Sequence, residues 1–162
     1  MRIKVIGYWL LVIGCLTLTS CKNDIVYSQF SSISYPGGTI TSSGNWHMDS
    51  VVRFEYQIAD TALGYQMNIY IRHTDRYPYQ NMWLFVGDSA KQDTIQFYLA
   101  DERGRWLGNK HNAFMEVPVI FGRHIHFADT GTYQLAIRHG MRDTLLQGVT
   151  DIGVEIVKDG KE

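Results

Sequence analysis

Cysteine is nearly absent from this sequence, and its two occurrences, Cys15 and Cys21, both fall at the beginning of the 162 residues. Beyond Cys21 the chain has no thiol, so it can form neither internal disulfides nor a cysteine-ligated metal site there. The hydrophobic core must therefore be sufficient to stabilise the fold.

Linker-type sequence is missing as well. The chain has three prolines, and it shows no Gly/Ser linker between domains, no block of like charges and no internal repeat. Nothing divides residues 29–158, where we expect a single domain. A tether at residues 21–28 would precede this domain, and a short tail at residues 159–162 would follow it.

No charge of one sign dominates. Residues 1–20 contain two basic and no acidic side chains, which leaves 13 basic and 16 acidic residues in the remainder, a net charge of −3. Nucleic-acid-binding domains are typically basic, and segments that adsorb to membranes are polybasic. The balance argues against a nucleic-acid partner and against a polybasic membrane patch.

The one long apolar run lies at the N-terminus. Arg2 and Lys4 precede an almost wholly apolar stretch at residues 5–18 that has no basic flank after it. This pattern predicts a helical secretory signal over residues 1–20. The signal ends in Leu18-Thr19-Ser20-Cys21, the type of sequence that bacterial lipoprotein signal peptidases cut before the cysteine.

Acylation of Cys21 is therefore the predicted modification, with a diacylglycerol on the sulfur and commonly a further acyl chain on the amine. Such chains anchor a protein durably, because each buried methylene contributes about 0.8 kcal/mol. Cleavage before Cys15 would leave an apolar stub, whereas Cys21 precedes the polar residues 22–24. An ordinary signal or an uncleaved anchor is the remaining alternative.

Alternation of apolar and polar residues with a period of two dominates the rest of the chain and indicates strands with one buried face. Strands are predicted at residues 26–34, 52–58, 65–71, 82–86, 95–99, 117–121, 124–127, 133–137 and 152–157. Hairpin-type sequences with a glycine occur at residues 60–64, 87–89, 101–104 and 121–123. These features predict an all-β fold, an antiparallel β-sandwich of immunoglobulin-like or jelly-roll-like type, in preference to a Greek-key barrel.

One short motif favours the sandwich. Asp129-Thr130-Gly131-Thr132-Tyr133 has the pattern of the tyrosine corner in immunoglobulin-like domains. In that corner the tyrosine hydroxyl donates a hydrogen bond to the backbone a few residues upstream.

Residues suited to catalysis or metal binding do not form a recognisable set. His124 and His126 share a face if they lie on a strand, and His111 lies in a loop that would need to approach them, but no further ligands complete a zinc site. No serine occupies a nucleophile elbow, and the carboxylates are scattered. We therefore expect no metal, no cofactor and no enzymatic activity.

Aromatic side chains are numerous, and some adjoin turns. Trp46, Tyr77, Tyr79 and Trp106 form a candidate surface for a partner or ligand, because exposed rings combine a large apolar area with a polar end. Core packing is the alternative for each of them, and it is the favoured interpretation for Trp83.

Specific blocks of sequence occur in order along the chain. They are Tyr77-Pro78-Tyr79-Gln80-Asn81-Met82-Trp83-Leu84-Phe85, Asp93-Thr94-Ile95, Leu99-Ala100-Asp101, Gly104-Arg105-Trp106-Leu107-Gly108, Gly131-Thr132-Tyr133, Met141-Arg142, Leu145 or Leu146, Gly148-Val149 and Asp151-Ile152-Gly153. In these blocks the chain resembles the GldH family of gliding-motility lipoproteins of the Bacteroidetes.

The resemblance implies a lipid-anchored envelope protein that takes part in gliding motility and the associated secretion machinery without catalysis. Other gliding or secretion proteins would be its partners, and no catalytic residues carry over. A surface carbohydrate-binding or glycan-processing lipoprotein is the alternative, suggested by the aromatic residues. Lys22 follows Cys21, and Asp24 is the nearest acidic residue, which favours the outer membrane, with the domain facing the periplasm.

Overall fold

The structure, a computed structural model, describes residues 24–33, 44–88 and 90–159. The signal at residues 1–20, both cysteines and residues 160–162 lie outside the described residues. Across the described ranges no helix is long and apolar enough to cross a membrane. The same ranges contain eleven strands: β1 (Ile25–Ser32), β2 (Asn45–His47), β3 (Val52–Ile58), β4 (Tyr65–His73), β5 (Asn81–Gly87), β6 (Gln92–Tyr98), β7 (Asn109–Lys110), β8 (Met115–Ile125), β9 (Gly131–His139), β10 (Leu145–Gln147) and β11 (Val149–Lys158).

The strands form two main antiparallel sheets. The five-stranded sheet has the order β1-β11-β4-β8-β7, and the four-stranded sheet has the order β3-β9-β5-β6. A short ribbon of β10 and β2 completes the fold. The prediction of an all-β antiparallel sandwich is confirmed.

Alternation along the strands builds the core between the sheets. In β3 the side chains of Phe54, Tyr56 and Ile58 are buried, while the intervening residues are exposed. β4 buries every second residue along its whole length. Because buried aliphatic and aromatic side chains each stabilise the fold by about 1.5–3 kcal/mol relative to exposure, this continuous core provides the stability that the missing disulfides would otherwise contribute.

The tyrosine corner is present. The Tyr133 hydroxyl donates a hydrogen bond of 2.7 Å to the Asp129 carbonyl oxygen, where the chain enters β9. Its ring stacks on that of Tyr56 in β3, with 6.0 Å between the ring centroids. The motif therefore fixes the entry of β9 and its packing against the neighbouring strand.

Two of the predicted hairpins are wrong. Residues 121–123 do not form a turn, because β8 continues through them and pairs with β4 across two register shifts. Residues 60–64 join β3 of one sheet to β4 of the other, so they form a crossover between sheets. In contrast, β5 and β6 do form a hairpin around residues 88–91, and Gly104 adopts a φ of 75° in the turn at residues 101–104.

Strand pairing and hydrogen bonds extend to both ends of the described residues. β1 begins at Ile25, within the stretch expected to be a tether. Asp159, expected to begin the tail, donates its backbone N–H to the Gly64 carbonyl oxygen at 2.8 Å. Its carboxylate also lies 2.6 Å from Nδ1 of His124.

Candidate interaction groove

The alternation of β5 places a tryptophan on the molecular surface. Met82, Leu84 and Val86 are completely buried between the sheets. Successive strand residues point to opposite faces, so Trp83 and Phe85 point outward from the four-stranded sheet. Trp83 is 38% exposed, which corrects the expectation that it packs in the core.

A groove of about 400 Å³ lies beside this tryptophan. We call it the aromatic groove, and it is lined by Tyr79, Asn81, Trp83, Gly140, Met141 and Arg142. The Gly140 N–H donates to the Trp83 carbonyl oxygen at 2.7 Å, and the Trp83 N–H lies 3.4 Å from Sδ of Met141. These two hydrogen bonds, one to a backbone oxygen and one to a side-chain sulfur, hold the segment after β9 against β5.

The two walls of the groove lie close together because residue 140 is a glycine, which has no side chain. A Cβ atom at Gly140 would lie 3.0 Å from the Phe85 ring and 3.2 Å from Cβ of Trp83. A larger residue would therefore push the Met141 wall away from the tryptophan.

Buried polar contacts position the other side of the groove. The Tyr77 hydroxyl donates to the Asn81 carbonyl oxygen at 2.7 Å, and burial raises the pKa of Tyr77. Hydrogen bonding to the Asp143 carboxylate raises the pKa of Tyr79. These two hydrogen bonds fix Asn81 and Tyr79, which line the groove.

The outer face of the four-stranded sheet extends the groove. Tyr98 and Gln96 lie opposite Asn81 and Trp83 on the neighbouring strand β6. On the other side of β5, the Arg138 guanidinium lies 4.6 Å from the centroid of the Phe85 ring.

Three arginines contribute positive charge to this surface. Arg53 and Arg138 line a shallow hollow of about 300 Å³ beside Phe85, and Arg142 lines the aromatic groove. In the part of the chain that the structure describes, none of the three forms an ion pair. The surface thus combines aromatic rings with guanidinium groups that are available to a ligand.

The structure separates the four aromatic residues singled out from the sequence. Tyr79 lines the aromatic groove, but Trp46 and Tyr77 are buried in the core. Trp106 is half-buried and lines a different hollow with His111 and Phe114. The expected common surface is therefore reduced to Tyr79, because the other rings fill space between strands.

Two of those aromatic residues cover buried histidines. The Trp46 and His139 rings lie 5.3 Å apart, and Nε2 of His139 lies 3.1 Å from the Trp46 carbonyl oxygen. The Trp106 and His73 rings lie 4.6 Å apart. Desolvation by burial lowers the pKa of both histidines, so they pack as neutral aromatic rings.

The histidines considered as metal ligands are far apart. His111 stacks on Phe114 before β8, whereas His124 lies near the end of that strand. A strand of eleven residues spans about 30 Å, so His111 does not approach His124 or His126. Within residues 24–33, 44–88 and 90–159 no cluster of three or more His, Cys, Asp or Glu side chains could hold a metal ion.

A signal for the groove was present in the sequence. Once Met82, Leu84 and Val86 are assigned to the core, the period of two places Trp83 outside. The contribution of Met141 and Arg142 had no such local signal, because it depends on the pairing of β5 with β9.

Sequence comparisons identify the family of this chain. A family model described as GldH lipoprotein matches residues 36–156, a range that includes every residue of the aromatic groove. The chain belongs to the GldH lipoprotein family. The match covers β2 to β10 and most of β11, and β1 lies before it.

Two relatives match over nearly their whole length. The Gliding motility lipoprotein GldH of Flavobacterium johnsoniae is 27% identical, in an alignment that covers 96% of this chain and 98% of that protein. The Gliding motility lipoprotein GldH homolog of Christiangramia forsetii is 26% identical, with coverage of 93% and 94%.

Proposed function

We propose that this chain is a lipid-anchored, non-enzymatic component of the gliding-motility apparatus and its associated secretion machinery. The observation that carries the proposal is the full-length similarity to two relatives whose names state gliding motility. Cys21 supplies the anchor, and the outer membrane, with the domain facing the periplasm, is the proposed location.

The composition of the aromatic groove supports a role through protein contacts. Tryptophan, tyrosine, methionine and arginine are the residue types most enriched at protein interfaces, and lysine and glutamate are depleted there. Trp83, Tyr79, Met141 and Arg142 line the groove, and no lysine or glutamate does. A partner residue inserted beside Trp83 would bury apolar area while Arg142 contacts its polar groups.

Deletion of the gene in a gliding host tests the proposal. Loss of colony spreading on agar, together with reduced amounts of secreted proteins in the medium, is the expected result. Reintroduction of the gene on a plasmid is the control and should restore both. Normal spreading and normal secretion in the deletion strain would contradict the proposed function.

A glycan-binding lipoprotein is the second candidate, and a specific observation favours it. Trp83 and Tyr98 expose their rings on one sheet face, and the amide side chains of Asn81 and Gln96 lie beside them. Stacking rings with adjacent amides are suited to sugar rings and their hydroxyl groups.

Affinity electrophoresis on gels that contain polysaccharide separates the two candidates. Retardation of the protein that is lost in Trp83→Ala would favour glycan binding. Identical mobility on every polysaccharide, combined with a motility defect of the deletion strain, would leave protein contact as the function.

A further inference from the structure

Strand β6 ends the four-stranded sheet with an open edge. Its seven residues pair with β5 in unbroken register, from Asn81 opposite Tyr98 to Gly87 opposite Gln92. Among the described residues no strand pairs with its other side. Such an edge is a template for a further strand unless the protein protects it.

The hydrogen-bond pattern identifies which backbone groups face outward. The Asp88 N–H donates to the Lys91 carbonyl oxygen at 2.9 Å, and the Leu99 N–H donates to the Gln80 carbonyl oxygen at 2.7 Å. A hydrogen-bonded pair therefore lies just beyond each end of the ladder between β5 and β6. Bonded and non-bonded pairs alternate in an antiparallel ladder. The residues of β6 that direct their N–H and C=O groups away from β5 are therefore Gln92, Thr94, Gln96 and Tyr98.

Other edges of the sandwich are protected, which makes β6 distinct. β1 and β3, the edges on the opposite side, contact each other. At the remaining edge of the five-stranded sheet, the two-residue strand β7 pairs only with the start of β8. The rest of β8 contains Pro118 and two register shifts against β4, and both features discourage pairing. β6 has no proline and no bulge, and its one charged residue, Asp93, lies 3.5 Å from Nζ of Lys91.

Apolar area also remains uncovered at this edge. Ile95 and Phe97 point toward the sandwich interior but are only partly buried, because no strand from residues 24–33, 44–88 or 90–159 lies beyond β6. Tyr98 is 62% exposed on the outer face. A strand added to β6 would cover these side chains as well as the four pairs of backbone groups.

We propose that β6 pairs with β6 of a second copy of this chain, antiparallel and about a twofold axis at Ile95. This register places Thr94 opposite Gln96 of the second copy, and Gln92 opposite Tyr98. Every outward-facing backbone group then meets another outward-facing group. Asp93 faces Phe97, so no like charges are opposed.

The dimer would have one continuous eight-stranded sheet. Side chains of directly opposed residues lie on the same face, so both aromatic grooves open on one side of this sheet. Two binding surfaces presented together increase the avidity for a repetitive partner. The pairing itself does not depend on the function proposed above.

Cysteine cross-linking in intact cells tests the register. Thr94→Cys and Gln96→Cys are expressed together as full-length lipoproteins with different epitope tags. Opposed residues in a bonded antiparallel pair have Cα atoms about 5.5 Å apart, within the range for a disulfide. Oxidation should give a mixed-tag dimer on a non-reducing gel, and either variant alone should give little.

Matched controls make the result decisive. Glu55→Cys and Gln57→Cys introduce cysteines with the same two-residue spacing on the edge strand β3. Co-expression of these two variants should give no dimer. The chain without engineered cysteines controls for the thiol of Cys21. Absence of the mixed-tag dimer, with both engineered thiols shown to be accessible by maleimide labelling, would overturn the proposal.

Gln96→Pro supplies a second measurement. It removes an outward N–H and leaves the bonds of β6 to β5 in place, so the fold should persist. Each copy loses one intermolecular hydrogen bond, so we expect association between purified lipoproteins in detergent to weaken about tenfold or more. Sedimentation velocity measures this change, and identical dimer formation by Gln96→Pro and the unchanged protein would contradict pairing through β6.

Discussion

At the scale of single residues, Tyr133 provides the clearest case of one hydroxyl that supports the fold. Tyr133→Phe removes the 2.7 Å hydrogen bond to the Asp129 carbonyl oxygen and keeps the ring. We expect the free energy of unfolding to fall by about 1 kcal/mol. Tyr98→Phe is the control, because that side chain is largely exposed. Urea titration measures both, and equal midpoints would show that the corner bond does not stabilise the protein.

The two buried histidines predict a dependence of stability on pH. Desolvation holds the pKa of His73 and His139 below the ordinary value of 6.5 in the folded state, although the hydrogen bonds to the Thr74 and Trp46 carbonyl oxygens oppose this shift. The charges of His47 and Arg138 lower the pKa of His139 further, and the Asp143 carboxylate raises it. The unfolded chain therefore binds more protons as the pH falls below about 6.5. The melting temperature should be constant above that pH and decrease below it.

Isosteric amides test this pH dependence. Asn at position 73 puts an amide nitrogen near the place of Nδ1, which lies 3.0 Å from the Thr74 carbonyl oxygen. Gln at position 139 does the same for Nε2 and the Trp46 carbonyl oxygen. The double variant His73→Asn, His139→Gln should show a smaller decrease of melting temperature between pH 7.5 and pH 5. An unchanged decrease would assign the effect to other groups.

At the scale of elements, the turn between β10 and β11 depends on Gly148. Its φ is 83°, and a Cβ atom there would collide with the backbone nitrogen of Tyr77 and lie 2.8 Å from the carbonyl carbon of Arg76. Gly148→Ala should therefore destabilise the protein by more than about 3 kcal/mol. Gly104→Ala is matched in φ but has no atom closer than 4.0 Å, so only the backbone cost of about 1–2 kcal/mol applies. Denaturant titrations that give similar losses for both would exclude the close contact.

The elements also show what the sequence was able to predict. Alternation located β3, β4, β5 and β9, because each has one buried face in a sandwich. It did not predict that β8 continues through residues 121–123, since Gly122-Arg123 resembles a turn and only pairing with the long β4 keeps the strand extended. Short strands such as β2 had no periodic signal.

Exposure of the aromatic residues was the least predictable feature. Trp46 lies in the three-residue strand β2, and its burial depends on His139 from a distant part of the chain. Tyr79 and Met141 meet in the aromatic groove only because β5 and β9 are neighbours. Such contacts are set by strand order, which a local pattern does not specify.

At the scale of the whole molecule, the anchor at Cys21 would determine where the sandwich acts. Cys21→Ser should abolish incorporation of an alkyne-labelled fatty acid and release the protein from the membrane fraction, because no acyl chain can be attached. Cys15→Ser is the matched control and should keep both properties. Labelling that persists in Cys21→Ser and disappears in Cys15→Ser would move the cleavage site to Cys15.

The aromatic groove predicts which face of the anchored molecule meets a partner. Trp83→Ala should reduce colony spreading of a gliding host that carries this gene as its only copy, because tryptophan is enriched among interface hot spots, whose truncation costs about 2 kcal/mol of binding or more. Ile120→Ala is the control, since Ile120 is 50% exposed on the five-stranded sheet. Immunoblots should show equal amounts of both lipoproteins. A spreading defect of equal size in both variants, or in Ile120→Ala alone, would place the contact surface elsewhere.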